Sequence, residues 1–392
     1  MIKLSLVILV GGKGTRLKKI SKGIPKPLVK IDKKIFLDNV LNHYSKYNFD
    51  KIYLMCGYKA NLFNRYDNKI INSIKIKIIK EKKPLGTAGS LFLLKNKVKN
   101  DFLLVNGDTF FNFDLNKLTN KIDKKHLAHI VLTKNNNYLT NKKLVNLSLD
   151  KKKNIIFSKR SELMNGGAIY IKKRFLNMIN NNYSSLENDF LPKLIKKKLV
   201  GGSIHNNFFI DIGIPKNFYF AKKNLKKILY KKAIFLDRDG VINYDYGHVY
   251  KFENFKFRPG VIKAFQFLKK KDIYIFIVTN QAGIAKGKYT LDQYIFLNSR
   301  LKEYLSNKNI YIHAVEFCPH HKDAKITKYK KNCKFRKPGN LMIEKLFSKW
   351  FIMKKTSFMI GDKKTDFLAA KKSKIRFFYA ENNLYKQIKK II

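Results

Sequence analysis

Leu4-Ser5-Leu6-Val7-Ile8-Leu9-Val10-Gly11-Gly12-Lys13-Gly14-Thr15-Arg16-Leu17 is an almost unbroken apolar run that empties into a glycine turn. Such a run reads as a strand buried on both faces of a parallel sheet. Gly11, Gly12 and Gly14 let the backbone approach a ligand, and their N–H groups can form an anion-binding nest. The same arrangement returns in the second half, where Ala233-Ile234-Phe235-Leu236 empties into Asp237-Arg238-Asp239-Gly240. Two buried strands, each ending in a phosphate-handling loop, predict an α/β chain of two domains, residues 1–229 and 230–392.

A length of 392 residues leaves room for two cores. Apolar residues make up 45% and aromatic residues 14%, too much for a disordered chain. No stretch reaches the roughly 18 apolar residues of a membrane helix. Met1–Val10 has the outline of a short signal peptide but lacks a small-residue cleavage site, so it reads as a first strand. Cys56, Cys318 and Cys333 are too few for a disulfide framework and suit a reducing cytoplasm. The formal charge of +56 is spread over lysine runs along the whole chain, beside abundant Ile and Asn. It reads as compositional drift on solvated faces, which still draws anionic substrates, rather than as a nucleic-acid surface.

Strand-length apolar runs recur at Ile52–Cys56, Ile74–Ile79, Phe102–Val105, His129–Leu132, Asn165–Ile171 and Asn206–Ile212, with a helix or loop over Ser185–Lys198. Asn217–Lys232 reads as a terminal helix leading to the junction. Beyond it, strands are predicted at Ala233–Leu236, Ile273–Thr279, Ile312–Phe317 and Ser357–Ile360, and helices near Val261–Lys270 and Leu291–Asn307.

In the first half, the glycine spacing fits neither the dinucleotide fingerprint, because Leu17 stands where its third glycine belongs, nor a Walker loop, because Val7 stands where its first glycine belongs. Pro25-Lys26-Pro27-Leu28 sets a lysine between rigid turns, suited to a phosphate. Glu81…Pro84-Leu85-Gly86-Thr87-Ala88-Gly89 is a small-residue segment where a flat base could lie. Asp108 and Asp211 each end a strand with a carboxylate, and magnesium is held by one or two of these plus substrate phosphates.

Gly11–Leu17 followed by Pro25–Leu28 resembles the sugar-phosphate nucleotidylyltransferases over roughly residues 1–225. The resemblance implies a Rossmann-like domain with a mixed, mainly parallel sheet. It also implies in-line attack by a sugar 1-phosphate on the α-phosphorus of a nucleoside triphosphate, releasing pyrophosphate. Gly11, Gly12, Gly14, Thr15 and the segment Gly86, Thr87, Ala88 would then hold the nucleotide. Arg16 and Lys26 would neutralise phosphate, and Asp108 and Asp211 would bind Mg2+. Lys159, Gly167 and Glu187 match sugar-phosphate positions, although Ser158 replaces the glutamate usual before the lysine.

In the second half, Asp237 and Asp239 lie two apart where a strand gives out, so both can face one pocket. A carboxylate nucleophile splits phosphoester hydrolysis into two easier steps, with a neighbouring carboxyl as acid and then base. Thr279-Asn280-Gln281 offers hydroxyl and amide donors, Arg336-Lys337 offers cations, and Gly361-Asp362 with Asp366 offers metal carboxylates.

These segments, in this order, resemble the haloacid dehalogenase-type (HAD-like) phosphatases over about residues 231–390. Their wording is similar to the D,D-heptose 1,7-bisphosphate 7-phosphatase branch, shared with histidinol phosphatases. The resemblance implies a Rossmannoid domain and a Mg2+ site of Asp237, Asp239 and Asp362. It also implies a phosphate site of Thr279, Asn280 and Arg336, with Lys337 catalytic. That branch carries a zinc loop, here matched by Cys318, His320 and Cys333 but with Phe335 at the fourth position. Structural zinc wants four ligands, so a metal-free loop packed around Phe335 is expected.

A phosphatase that clears the 7-phosphate of a heptose 1,7-bisphosphate makes a substrate for a nucleotidylyltransferase. The first half is most similar to the D-glycero-α-D-manno-heptose 1-phosphate guanylyltransferase type, which implies GTP, small-molecule partners and neither nucleic acid nor membrane. The glycine and lysine loops themselves do not select the base or the oligomeric state. A hexose 1-phosphate enzyme fused to an unrelated phosphatase is one other reading. A basic binding protein on inactive enzyme folds is a second, and the intact Asp237, Asp239, Lys337 and Asp362 set argues against it.

Overall fold

The computed structural model describes residues 4–119, 121–134 and 146–392, so Met1–Lys3 of the expected first strand lie outside the described residues. The chain divides into two compact units. Met1–Leu41, Phe49–Ile70 and Ile74–Leu225 make the first; Asn42–Asn48, Ile71–Ser73 and Lys226–Ile392 make the second. Among the described residues, no helix is long and apolar enough to cross a membrane.

The first unit is built on β1 (Ser5–Leu9), β2 (Lys51–Cys56), β3 (Ile74–Lys80) and β4 (Phe102–Asn106). Then come β5 (Thr109–Phe111), β6 (Ala128–Lys134), β7 (Leu147–Leu149), β8 (Ile155–Phe157), β9 (Leu163–Ile171), β10 (Val200–Ile204) and β11 (Phe209–Asp211). The main sheet runs β8-β7-β9-β4-β1-β2-β3, with β6 on β9 and β10 on β6. Its centre, β4-β1-β2-β3, is parallel, and β9 joins it antiparallel. The sheet is thus mixed and mainly parallel at its core. Val7, Met55, Leu104, Ile130 and Ile169 pack one continuous core on it. A separate two-stranded ribbon pairs β5 with β11 and sets Asp211 opposite Thr109. Helix α1 (Pro215–Leu229) follows, and the first unit ends within it at Leu225.

The second unit holds β12 (Ala233–Leu236), α2 (Val261–Lys270), β13 (Tyr274–Asn280), α3 (Leu291–Asn307) and β14 (Ala314–Cys318). It continues with α4 (Leu341–Lys349), β15 (Phe358–Gly361), α5 (Lys364–Lys372), β16 (Arg376–Tyr379) and α6 (Leu384–Ile391). Its sheet is β14-β13-β12-β15-β16, parallel throughout. The period-two rule explains why the central strand β12 is apolar at every position. Ile234 and Leu236 enter one core with Ala264 and Leu268 of α2, while Ala233 and Phe235 enter the opposite core with Met342 and Leu346 of α4.

Two local differences from the sequence reading stand out. The expected strand Asn206–Ile212 shortens to Phe209–Asp211. An unexpected strand, β10, runs through Gly201 and Gly202, which a propensity reading disfavours. Those glycines are required by packing. A Cβ on Gly201 would run into the His126 and His129 rings, and one on Gly202 into Ile155.

Two candidate active sites

In the first unit, the loop after β1 stays close to its neighbours. The amide of Tyr58 donates to the Gly11 carbonyl at 2.9 Å, and a Cβ on Gly11 would lie 2.6 Å from the Gly57 nitrogen. Gly12 has open space around it, and Gly14 adopts a φ of 66° directly over the Lys26 stem. Thr15 and Arg16 are exposed on the same loop. Lys26 itself is buried, with Nζ 3.3 Å from Asp108 Oδ2.

The β5–β11 ribbon brings the second carboxylate in. A Cβ placed on Gly213 would be 2.6 Å from Asp211 Oδ1, 3.0 Å from Lys26 Nζ and 3.4 Å from Asp108 Oδ2, so the three groups surround one point. Burial, then the charge of Asp108, pushes the Asp211 carboxyl up to about 7. Two carboxylates facing a lysine suit a divalent cation shared with substrate phosphates. Gly167 adopts a φ of 70°, and a Cβ there would crowd Asn106 at 3.1 Å and Thr109 at 3.2 Å, next to Asp108. Lys159 stands exposed in the loop after β8.

The Gly86–Gly89 segment is engaged differently from the sequence expectation. The Ala88 and Gly89 amides donate to the Ser184 carbonyl at 3.0 and 3.3 Å, and the Ala88 side chain is buried. Thr87 Oγ1 donates to Glu187 Oε2 at 2.6 Å and accepts from the Leu186 amide at 2.8 Å. A Cβ on Gly86 or Gly89 would strike the carbonyls of Ser184 and Asn182. Thr87 and Ala88 therefore fasten this turn to Glu187's segment rather than presenting free donors to a base. Glu81 was passed over as a site candidate. Its carboxylate would lie 3.3 Å from a Cβ on Gly11 and 3.2 Å from one on Gly57, and burial raises its pKa.

The second unit gathers its groups where β12, β13 and β15 end. Lys337 Nζ lies 2.8 Å from Asp237 Oδ2 and 2.5 Å from Asp366 Oδ1, and it donates to the Val278 carbonyl at 2.9 Å. Burial alone would push its ammonium down, but Asp237 and Asp366 hold it up. Burial drives the Asp237 carboxyl up to about 6 although Lys337 opposes it. Carboxylate oxygens of Asp237, Asp362 and Asp366 lie within 4.8 Å of one another. Asp362 Oδ1 is buried without a protein hydrogen-bond partner, an orphan acceptor that a cation would satisfy. The residues present fit magnesium.

Asp239 departs from its expected place among the metal carboxylates. Its Oδ1 accepts from Arg238 Nε at 3.1 Å, Arg238 NH2 at 2.8 Å and Asn243 Nδ2 at 2.9 Å. Its Oδ2 accepts from Arg238 NH2 and Gln281 Nε2, both at 2.9 Å. Arg238 is fully buried and also donates to the Val249 carbonyl. Tyr289 completes the chain by donating to Gln281 Oε1 at 2.5 Å. Asp366 takes Asp239's expected place beside Asp237 and Asp362.

The expected phosphate donors divide in the same way. Thr279 is buried and accepts from Gln281 Nε2 at 2.9 Å. Asn280 clamps the Lys337 backbone through Nδ2 to its carbonyl, 3.0 Å, and Oδ1 from its amide, 2.9 Å. Arg336 donates to the His320 carbonyl at 3.4 Å.

Cys318, His320 and Cys333 do converge, their donor atoms within 4.8 Å of one another. Burial pushes the Cys318 thiol up to about 12. Phe335 packs against the core beside Cys333, and His321 is turned to Asp323. Three donors and an apolar fourth position do not fit a closed structural zinc site.

Residues 5–142 match the Nucleotidyl transferase family. The chain is 35% identical over 216 residues to D-glycero-alpha-D-manno-heptose 1-phosphate guanylyltransferase of Campylobacter jejuni, covering 54% of this chain and 96% of that protein. It is 40% identical over 146 residues to D-glycero-beta-D-manno-heptose-1,7-bisphosphate 7-phosphatase of Pasteurella multocida, covering 37% of this chain and 79% of that protein. Among solved structures it is similar to HddC from Yersinia pseudotuberculosis, with 28% identity, a TM-score of 0.48, and coverage of 57% of this chain and 99% of that one.

Proposed function

The chain belongs to both the heptose 1-phosphate guanylyltransferase and the heptose bisphosphate 7-phosphatase families, and from that membership we propose that it performs two consecutive steps. The second unit removes the 7-phosphate of D-glycero-D-manno-heptose 1,7-bisphosphate. The first then joins the resulting heptose 1-phosphate to a nucleotide, GMP from GTP, and releases pyrophosphate. The boundary between the two activities falls near residue 230. What carries this reading is the presence on one chain of two separate carboxylate–lysine centres, Asp108/Asp211 with Lys26 and Asp237/Asp362/Asp366 with Lys337.

In the hydrolytic centre, an Asp237 oxygen attacks phosphorus and the bond to the sugar oxygen breaks, while Asp239 supplies that oxygen's proton. Asp239 then takes a proton from water, which attacks the aspartyl phosphate and regenerates Asp237. Lys337 holds Asp237 in place and offsets the added charge. In the transfer centre, the sugar phosphate oxygen is the nucleophile, so the protein's task is positioning and neutralisation by Arg16 and Lys26. Magnesium, held by Asp108 and Asp211 or by Asp237, Asp362 and Asp366, would supply further neutralisation of phosphate charge.

The test supplies purified protein with heptose 1,7-bisphosphate and GTP, ATP, UTP or CTP, and reads nucleotide-sugar by mass spectrometry. GDP-heptose with release of one phosphate and one pyrophosphate is expected. Exclusive turnover of mannose or glucose 1-phosphate, or of histidinol phosphate, would overturn it.

A further inference from the structure

We propose that the loop Tyr244–Gly247 is a sugar platform for the phosphatase centre, gripping the ring of a phosphorylated sugar while its outlying phosphate reacts. This rests on the phosphatase reading of the second unit. Tyr244 and Tyr246 are 41% and 61% exposed, yet their rings stack on each other at 6.0 Å and 24°. A paired aromatic surface left in solvent marks a binding site more often than scattered single residues do.

The loop is anchored to the reacting groups. Asn243 donates to Asp239 Oδ1 at 2.9 Å and to the Tyr244 carbonyl at 2.8 Å. Between the two tyrosines in sequence, Asp245 pairs through Oδ2 with Lys363 Nζ at 3.2 Å. Lys363 follows the metal-type carboxylate Asp362 in sequence and reaches to 3.9 Å from it. The aromatic pair is thus tethered to both the acid–base residue and the carboxylate cluster.

The chemistry of the patch selects its ligand. Ring faces cover the C–H surface of a pyranose, and tyrosine hydroxyls meet its hydroxyl edge. Two cations belong to this patch: Lys256, whose Nζ lies 5.8 Å from the Tyr246 centroid, and Lys363, 57% exposed and paired with Asp245. Point charges of this kind receive a second phosphate. The platform therefore fits a sugar bisphosphate whose reacting phosphate sits on a short exocyclic arm.

Tyr244→Ala/Tyr246→Ala and Tyr244→Phe/Tyr246→Phe are compared with the parent on heptose 1,7-bisphosphate and on acetyl phosphate, too short to reach the rings. The ratio of kcat/KM for sugar over acetyl phosphate falls about tenfold or more in the alanine pair, chiefly through KM, and the phenylalanine pair restores most of it. An unchanged ratio, an equal loss on both substrates, or no rescue by phenylalanine overturns the platform. Should the parent hydrolyse some other sugar phosphate but not the heptose compound, the substrate proposed above fails, and the ratio on that other sugar still decides. Hydrolysis of acetyl phosphate alone overturns the platform.

Discussion

The two centres solve phosphate chemistry with opposite amounts of preparation. In the second unit, Lys337 is buried against two aspartates, and Asp239 is held by hydrogen bonds from Arg238, Asn243 and Gln281. In the first unit, a pair of carboxylates faces Lys26, while Gly12 and Thr15 are exposed on the loop after β1. The contrast follows the reactions. A phosphatase of this kind uses its own carboxylate as nucleophile and must hold it dry and oriented. Nucleotidyl transfer brings its nucleophile and much of its metal-binding oxygen with the substrates, so the protein leaves room for them.

That contrast can be broken at its strongest point first. Asp237→Asn removes the proposed nucleophile, and phosphate release should fall by about 10⁴-fold or more while nucleotidyl transfer stays within about twofold. Loss of both activities in a folded protein would mean the centres are not independent. Next, Asp108→Asn leaves Asp211 facing Lys26 alone. Transfer should drop about 100-fold with phosphate release retained, and higher magnesium should recover part of it. A transfer rate indifferent to magnesium in both proteins would discard the carboxylate-pair assignment.

A smaller effect sharpens how the open centre is organised. Thr87→Val cuts the hydroxyl that holds Glu187 Oε2 at 2.6 Å. The KM for sugar 1-phosphate should rise about tenfold, with that for nucleotide changed less, and Thr87→Ser should restore it. An equal rise for both substrates would show that Thr87 contacts the nucleotide after all.

The smallest effect concerns acid. Burial lowers His129 to about 3 and His205 to about 4, with Lys121 lowering both, His126 and Lys153 adding at His129, Lys117 at His205, and Asp114 opposing at His205. Their folded values lie below the unfolded one, so stability is intact above about pH 6.5 and is lost as pH falls toward 3 to 4. Amide exchange at β6 and β10 should quicken between pH 7 and 5 once corrected for intrinsic rates; unchanged protection would refute it.

Much of this was legible in the residues. Val261–Lys270 and Leu291–Asn307 are helices over the expected bounds, and Ala233–Leu236 is a strand over its own. These segments carry an unambiguous period or an unbroken apolar run. β10 was hidden because two glycines mask strand propensity, and the reason they are tolerated lies in His126, His129 and Ile155, far away in sequence. At the sites, the loops could be found because they interrupt apolar runs. Partner choice could not. That Arg238 folds back on Asp239, that Asn280 clamps Lys337, or that Thr87 reaches Glu187 depends on which strands become neighbours. Local pattern carries no trace of it.

Gly240 turns the chain at a φ of 84° immediately after Asp239, and a side chain there would run into the Asp362 carboxylate. Any other residue would meet backbone strain and a collision together. This makes position 240 a marker of decay. A copy of the gene that retained every aspartate but replaced this glycine would encode a protein that looks competent in its motifs and is crippled in its hydrolytic half.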